Sequence, residues 1–187
     1  MKFDELMAQM AIAERLKCAT RHSWTSDGRR ESVAEHSWSL MILAYYVKDA
    51  FPEICFDRLL QMCLFHDMGE AFTGDIPAFL KTSDHRKQED LAVAHWLSDF
   101  PSTHRAELES LFREMQAQQT PEARLYKALD KMETLIQHNL ADLSTWLPLE
   151  HEENLQYGKE YTDHDPYLRQ LRAVICDISR KKIAADL

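Results

Sequence analysis

The sequence predicts an all-α protein, a single-domain helical bundle, from three observations. Apolar residues recur every three or four positions along most of the chain, as Phe3, Leu6, Met7 and Met10 do near the N-terminus, and this is the period of one helix face. No apolar–polar alternation of the kind that marks a half-buried strand continues over five residues. Only four glycines and six prolines occur among 187 residues, too few for the many turns of an all-β fold.

Caps and prolines bound the first three predicted helices. The first covers residues 3–18, where the apolar period is unbroken. The second begins at residue 32 or 33 and ends near residue 50, before the sequence FPE, because the residue that precedes a proline tends to leave the helical conformation. The third begins at Asp57, whose carboxylate can cap the backbone, and stays apolar as far as His66.

Similar signals bound the remaining four helices. A helix near residues 86–100 ends at Pro101, and another opens at Ser102 or Thr103. Proline is favoured in the first turn of a helix, so Pro121 begins a helix that runs to about residue 143, and the last helix follows Asp165-Pro166 to the C-terminus. The stretch 144–154 is predicted as a loop, as are two long segments, residues 21–31 and 69–84, and loops of that length are often functional.

Charge and composition limit the classes of function. The net charge of −9 argues against a nucleic acid polymer as a partner, because neutralising its phosphates requires a basic face. The longest apolar stretch, residues 38–47, is too short to span a bilayer, and the N-terminus lacks a basic, then apolar, leader. We therefore expect a cytoplasmic protein without membrane contact. Four scattered cysteines without a CxxC pair are predicted to be buried free thiols.

The segment LFHDMGEAFTGDIP, residues 64–77, suggests chemistry. It begins apolar and then places His66, Asp67, Glu70 and Asp75 within ten positions. Burying an ionised carboxylate is unfavourable unless it is paired or bound to a metal. Elsewhere, His36 lies in the first turn of the second predicted helix.

Asp130 adds a further carboxylate in the apolar sequence LYKALDKMETLIQ. Taken singly, these residues have ordinary explanations. A lone histidine is often hydrogen-bonded in the core, Asp130 could pair with Lys127 or Lys131, and the other acids could serve as turn and cap residues. The spacing therefore permits a metal site without requiring one. Two imidazoles and two carboxylates would suit a hard or borderline divalent ion.

Three blocks in this order, RRESVAEHSW, FHDMGEAFTGDIP and KALDKMETLIQ, resemble the HD-domain metal-dependent phosphohydrolases. They are most similar to the branch that contains bacterial 5′-deoxynucleotidases and their eukaryotic HD-domain relatives. The resemblance covers about residues 16–137 of a single predicted domain, 1–187. It implies one divalent metal ion, manganese or cobalt first, with magnesium, zinc, iron or nickel as alternatives. The implied ligands are His36, His66, Asp67 and Asp130.

The resemblance also implies roles for residues that do not bind the metal. It implies that Glu70 and Asp75 are catalytic carboxylates. Glu70 would orient or deprotonate the attacking water, and Asp75 would assist the leaving 5′-oxygen. Arg21 would bind the substrate phosphate through its two-pronged guanidinium, and Trp24 would contact the sugar or base. In this branch an arginine and a tryptophan adjoin, whereas two residues separate them here. The preference between ribose and deoxyribose therefore stays open.

The resemblance thus implies a phosphohydrolase that removes the 5′-phosphate from (deoxy)nucleoside monophosphates by attack of a metal-activated water. One alternative keeps the centre and changes the substrate to another small phosphoester or nucleotide. An alternative of another class is a non-catalytic nucleotide-binding or sensing protein, although a pure binding site has no need for the extra carboxylates Glu70 and Asp75. The resemblance also implies a homodimer.

Overall fold

A computed structural model of the chain describes residues 1–185. The prediction of an all-α bundle is confirmed, since helices dominate these residues and a small two-stranded sheet is the addition. In chain order the elements are α1 (Phe3–Cys18), β1 (Thr20–Trp24), β2 (Arg30–Ser32), α2 (Val33–Val47), α3 (Phe56–Phe65), α4 (Glu70–Thr73), α5 (Ser83–Ser98), α6 (Ser102–Ala117), α7 (Pro121–Leu140), α8 (Glu150–Gln156), α9 (Lys159–Thr162) and α10 (Pro166–Ala184).

Helix α7 is the centre of the fold. It packs against α2, α3, α6 and α10, and its Leu129, Met132 and Leu135 are fully buried. Its start matches the sequence-based prediction, because the Thr120 hydroxyl accepts a hydrogen bond from the Ala123 backbone N–H and Pro121 follows the cap. A residue at mid-length of α7 is therefore held rigidly at the middle of the molecule.

A second apolar cluster lies beside the first and fixes the segment after α3. Its buried members come from α1, α2, that segment, α5 and the turn after α5: Leu16, Val33, Met68, Trp96, Leu97 and Phe100. Met68 is 5% exposed, so the chain between α3 and α4 is anchored in a core and does not form a free loop. This anchoring positions the residues on either side of Met68.

The structure differs from the sequence-based prediction in the long loops. The predicted loop 21–31 lies within an antiparallel pair of strands, β1 and β2, with Thr20 opposite Ser32 and Trp24 opposite Arg30. The strands are too short for the alternation test to detect. Gly28, at a φ of +84°, makes the turn between them.

The predicted loop 144–154 also contains the start of a helix, α8. This helix begins at Glu150, whose carboxylate accepts a hydrogen bond of 2.6 Å from the Leu147 N–H. Two helices end a few residues earlier than predicted. The second helix ends at Val47 and continues as a 3₁₀ turn to Ala50, and α7 ends at Leu140. Helix ends commonly tighten in this way.

The prediction of four buried thiols is wrong for two of them. Cys63 and Cys176 are buried, whereas Cys18 and Cys55 are exposed because they lie at the end of α1 and just before α3. Across residues 1–185, we find no helix that combines the length and the apolar character needed to cross a membrane.

Candidate active site

Three helices bring the four candidate metal-binding side chains close together. His36 comes from the first turn of α2, His66 and Asp67 directly follow α3, and Asp130 comes from the middle of α7. Asp130 Oδ1 lies 3.2 Å from His36 Nε2 and 3.8 Å from His66 Nε2. Asp67 Oδ2 lies 3.0 Å from His66 Nε2 and 4.0 Å from His36 Nε2. The four residues that the sequence grouped are therefore neighbours in space.

A capping box sets the position of His36. The Ser32 hydroxyl accepts from the Glu35 N–H at 3.2 Å, and the Ser32 N–H donates to the Glu35 carboxylate at 2.8 Å. These bonds satisfy backbone groups that would otherwise lack a partner at the start of α2. The first turn is thereby fixed, and the His36 side chain, 0% exposed, points into the core.

The end of α3 allows two adjacent residues to face the same point. On a continuing helix, neighbours such as His66 and Asp67 would point about 100° apart. Here the Met68 N–H bonds to the Phe65 carbonyl and the Glu70 N–H bonds to the Asp67 carbonyl, so the chain turns more tightly than an α-helix. The tight turn brings both side chains onto one side.

The hydrogen bonds of the two histidines show that the site fits a cation. The Cys63 carbonyl, which can only accept, lies 3.0 Å from His66 Nδ1, and the Glu133 carboxylate contacts His36 Nδ1. In its neutral form each ring therefore carries its proton on Nδ1 and turns the Nε2 lone pair towards the carboxylates Asp67 and Asp130. Lone pairs and carboxylate oxygens repel one another unless a positive charge lies between them.

Three further observations support a cation at this site. Within residues 1–185, the buried His66 Nε2 makes no hydrogen bond of acceptable geometry, although Asp67 Oδ2 lies 3.0 Å away. Burial and the nearby Arg21 lower the pKa of His36, but Glu133 and Asp130 outweigh them and raise it to about 9. Burial opposes ionisation of Asp130, yet Lys131 and Lys127 hold its pKa well below the usual range. The donors thus favour a positive charge among ionised carboxylates, as a divalent metal would supply.

Glu70 and Asp75 stand beside this centre. Glu70 is the first residue of α4 and is 5% exposed. Burial, together with the carboxylates of Asp67 and Asp75, raises its pKa to about 10. Among the described residues no hydrogen-bond partner reaches Glu70 Oε2. Burial is also the main reason that the pKa of Asp75 is raised, and the nearby Arg21 only partly offsets it.

A lysine neutralises part of the cluster of carboxylates that includes Glu70. One oxygen each from Asp67, Glu70 and Glu89 lie within 4.8 Å of one another. Lys81 Nζ is 2.5 Å from Glu89 Oε2 and 3.7 Å from Glu70 Oε1. Because this ammonium already supplies a positive charge, the group does not call for a second metal ion.

A cavity of about 480 Å³ opens onto these residues, a size typical of small-molecule sites. Asp67, Glu70, Asp75 and Asp130 line it together with segments of β1, α7 and residues 150–160. Its walls also carry four cations: Arg21, Lys81, Lys127 and Lys131. A site with an acidic end and several cations is suited to an anionic ligand that binds a metal.

The structure separates the two predicted substrate contacts. Arg21 lines the cavity, and its Nη2 donates to the Thr134 hydroxyl at 3.1 Å. Trp24 does not line this cavity: the Arg30 guanidinium lies over its ring at 4.4 Å. His22 faces the cavity instead. The strand pairing is irregular between Thr20 and Trp24, and such irregularities redirect side chains.

Several cavity residues were missed by sequence reasoning. Lys127, Lys131, Thr134 and His138 all line the cavity from α7. They are spaced by four, three and four positions, which is one helix face, so a polar stripe on an otherwise apolar helix was the available signal. Glu133, which contacts His36, follows Asp130 by three residues on that helix and gave no separate signal.

The chain is similar to a known domain family and to several characterised proteins. A model of the HD domain matches residues 13–172. The chain is 32% identical over 137 residues to the human 5′-deoxynucleotidase HDDC2, covering 71% of this chain and 66% of that protein. It is 31% identical over 139 residues to the Danio rerio protein of the same name, covering 72% and 68%.

A fission yeast relative and a crystal structure extend these similarities. The 5′-deoxynucleotidase hdd1 of Schizosaccharomyces pombe is 33% identical over 131 residues, covering 66% of this chain and 65% of its own length. The chain thus spans about two thirds of the length of these relatives. The crystal structure of a predicted metal-dependent phosphohydrolase from Magnetospirillum magnetotacticum MS-1 superposes with a TM-score of 0.79 at 25% identity, covering 96% of each chain.

Proposed function

The chain belongs to the HD-domain family, and from this premise we propose that it removes the 5′-phosphate from nucleoside monophosphates, deoxynucleotides first. The family, the names of its relatives and its structural neighbour support a metal-dependent nucleotide phosphohydrolase. The observation that carries the proposal is the pair Glu70 and Asp75. Both carboxylates lie outside the four-residue centre and line the same cavity, which is what acid–base catalysis beside a metal requires.

Four residues would hold the metal: His36, His66, Asp67 and Asp130. A divalent ion bound there would lower the pKa of a water and polarise a phosphoryl oxygen. The donor set of imidazoles and carboxylates, without a thiolate, favours manganese or cobalt, with magnesium, zinc, iron and nickel as alternatives. It does not resemble a structural zinc site, where thiolates are usual.

The remaining residues carry the proton transfers. Glu70 takes a proton from the attacking water as the new bond from oxygen to phosphorus forms. In the metal-free protein, burial raises the pKa of Glu70 to about 10, and a divalent cation in the neighbouring centre would favour the ionised form that accepts this proton. As the bond from phosphorus to the 5′-oxygen breaks, Asp75 gives a proton to that oxygen, directly or through a water. The products are inorganic phosphate and a nucleoside.

The cavity cations bind the phosphate. Arg21 Nη1 is buried and, within the described part of the chain, makes no hydrogen bond, so it can donate to a ligand oxygen. Lys127 and Lys131 contact Asp130 Oδ2 and add positive charge to the cavity wall. We assign phosphate binding to Arg21 and place the sugar and base towards His22. No polymer partner is needed, and such a substrate is found in the cytoplasm.

A homodimer is a further part of the proposal, with residues 1–187 of each subunit forming one domain. Exposed apolar side chains on α2 recur on one face at Trp38, Ile42 and Tyr45, and Trp38 is 61% exposed. Their spacing of four and three residues forms a continuous stripe. Light scattering of the wild type and of a Trp38→Glu variant would show whether this face joins two subunits.

Phosphate release from a substrate panel tests the proposed activity. The panel contains 5′-deoxynucleotides, 5′-ribonucleotides, 3′-nucleotides and sugar phosphates, each with manganese, cobalt, magnesium or EDTA. We expect turnover of 5′-monophosphates alone, abolished by EDTA and by Asp67→Ala. Asp4→Ala, at an exposed position of α1, is the matched control and should be fully active. Turnover of other phosphoesters would replace the proposed substrate class. If the metal-loaded protein hydrolyses none of the compounds, the alternative of a non-catalytic nucleotide-binding or sensing protein is favoured.

A further inference from the structure

One buried carboxylate contacts both a candidate metal ligand and a candidate phosphate contact. Glu133 is 3% exposed. Its Oε2 contacts His36 Nδ1, and the same oxygen lies 3.8 Å from Arg21 Nη1. His36 offers its other ring nitrogen to the metal centre, while Arg21 lines the cavity. Glu133 therefore lies between the two halves of the site.

A second carboxylate shares only one of these contacts. Glu31, 2% exposed, has Oε2 at 3.5 Å from Arg21 Nη1. Among the described residues it makes no hydrogen bond to His36. Glu31 and Glu133 thus flank the same guanidinium, but only Glu133 also reaches the imidazole. This difference makes Glu31 a built-in control for Glu133.

Helix α7 places these contacts in a fixed relationship. Asp130, Glu133 and Thr134 are three and four residues apart on one rigid helix, so they share a face. Asp130 faces the metal centre, Glu133 supports His36, and Thr134 accepts the hydrogen bond from Arg21. Helix α7 thus carries one candidate metal ligand, Asp130, and two residues that contact Arg21, of which Glu133 also contacts the candidate ligand His36.

We propose that Glu133 is a positioning residue that orients His36 for the metal and Arg21 for the substrate phosphate. By accepting a hydrogen bond from Nδ1–H, Glu133 fixes the tautomer that leaves Nε2 free, and its charge makes that nitrogen a stronger donor to the metal. Its charge also holds the Arg21 guanidinium against the cavity wall, together with Glu31. This inference rests on the proposed metal site.

Calorimetric titration of the metal-free protein with Mn²⁺ tests the first contact. Loss of such a partner typically weakens metal affinity by about 10- to 100-fold, so we expect that increase in Kd for Glu133→Gln. Glu31→Gln should leave the Kd within about twofold, because this side chain makes no hydrogen bond to His36, while both variants should raise KM for the nucleotide. Thermal unfolding of each variant reports on folding. A wild-type Kd in Glu133→Gln, or an equal loss in Glu31→Gln, would overturn the proposal.

The tautomer of His36 provides a test that needs no variant to fold and no turnover. In ¹⁵N-histidine NMR spectra of the metal-free wild type, recorded at a pH above the His36 pKa of about 9 so that the ring is neutral, we expect the remaining ring proton on Nδ1. Chemical shifts of ring nitrogens distinguish this form from the Nε2–H tautomer, and observation of the latter would refute the assignment. A wild type that binds no Mn²⁺ would instead refute the metal site and leave the tautomer result standing.

Discussion

Lys127 lies one turn before Asp130 on α7 and holds the outer oxygen of its carboxylate, with Nζ 3.0 Å from Oδ2. Lys131 Nζ reaches the same oxygen at 3.2 Å, whereas Oδ1 faces His36 Nε2. The two oxygens of one carboxylate are thus divided between lysines and the metal centre. The lysines keep Asp130 ionised, but their charge also repels a metal ion.

Removing one of these charges should affect metal and substrate in opposite directions. We expect Lys127→Met to tighten Mn²⁺ binding about three- to tenfold, because a nearby positive charge is lost, and to raise KM for a nucleotide because the phosphate loses a cation. Calorimetry and steady-state kinetics measure the two effects. Lys87→Met, at an exposed lysine of α5, should change neither. Weaker metal binding in Lys127→Met would show that the lysine acts mainly by orienting Asp130.

Stability should depend on pH through Glu70. Its pKa of about 10 in the folded protein lies above the ordinary 4.5, so the folded state keeps a proton that the unfolded chain releases. Glu70 therefore makes folding progressively less favourable as the pH rises from 4.5 towards 10. Glu70→Gln, which mimics the protonated form, should raise the free energy of unfolding in EDTA by about 1–3 kcal/mol at pH 8.

Urea unfolding at pH 6 and pH 8 checks this expectation. The gain from Glu70→Gln should be larger at pH 8, because the wild type loses stability over that interval. Glu53→Gln, an exposed glutamate before α3, is the control and should shift stability little at either pH. A gain that shrinks with rising pH would contradict the raised pKa.

Asp75 should affect turnover without affecting metal binding. Loss of a general acid typically lowers turnover by about 10²- to 10⁴-fold, so we expect Asp75→Asn to lower kcat within that range. Its Mn²⁺ affinity should stay near the wild-type value, because Asp75 lies outside the four-residue centre. Single-turnover phosphate release and calorimetry separate the two quantities. Full activity in Asp75→Asn would remove this residue from the mechanism.

His22 and Trp24 can be distinguished by kinetics. His22 lines the cavity, whereas Arg30 covers the ring of Trp24. Loss of one hydrogen bond to substrate is worth about 1 kcal/mol, so His22→Ala should raise KM about fivefold. Trp24→Phe, which keeps an aromatic ring under Arg30, should leave KM unchanged. The opposite order would restore the sequence-based expectation that Trp24 contacts the substrate.

Helix periodicity and caps made much of the fold predictable from the sequence. The Thr120-Pro121 and Asp165-Pro166 pairs mark the starts of α7 and α10 where the structure has them, since local backbone chemistry decides a helix start. The four grouped residues of the metal centre could be predicted only as a family pattern. Their convergence depends on how α2, α3 and α7 pack.

Features that depend on tertiary contacts were not predictable. Glu133 looks like any polar residue on α7 until packing places His36 beside it. Trp24 does not line the cavity as expected, because an irregular strand turns His22 inwards. The strands are also too short for their alternation to be recognised in the sequence. The charge of Glu70 likewise cannot be read from its neighbours in sequence, because its raised pKa comes from burial.

Gly69 provides a test of how the turn before α4 supports Glu70. Its φ is −58°, so alanine would not strain the backbone, but an added Cβ would lie 2.5 Å from Glu89 Cγ. Glu89 must then move, and it holds the Lys81 ammonium that faces Glu70. We expect Gly69→Ala to destabilise the protein by about 1–3 kcal/mol and to lower kcat.

A double-mutant cycle with Glu89→Ala checks this explanation. Truncating Glu89 removes the atom that the new methyl group would meet, so the stability cost of Gly69→Ala should fall in the Glu89→Ala background. Residues in contact commonly show interaction energies of about 0.5–3 kcal/mol, and thermal unfolding of the four proteins measures this value. Additive effects would mean that Gly69 is required for another reason, since Val93 Cγ2 at 3.2 Å is the next atom that the methyl group would meet.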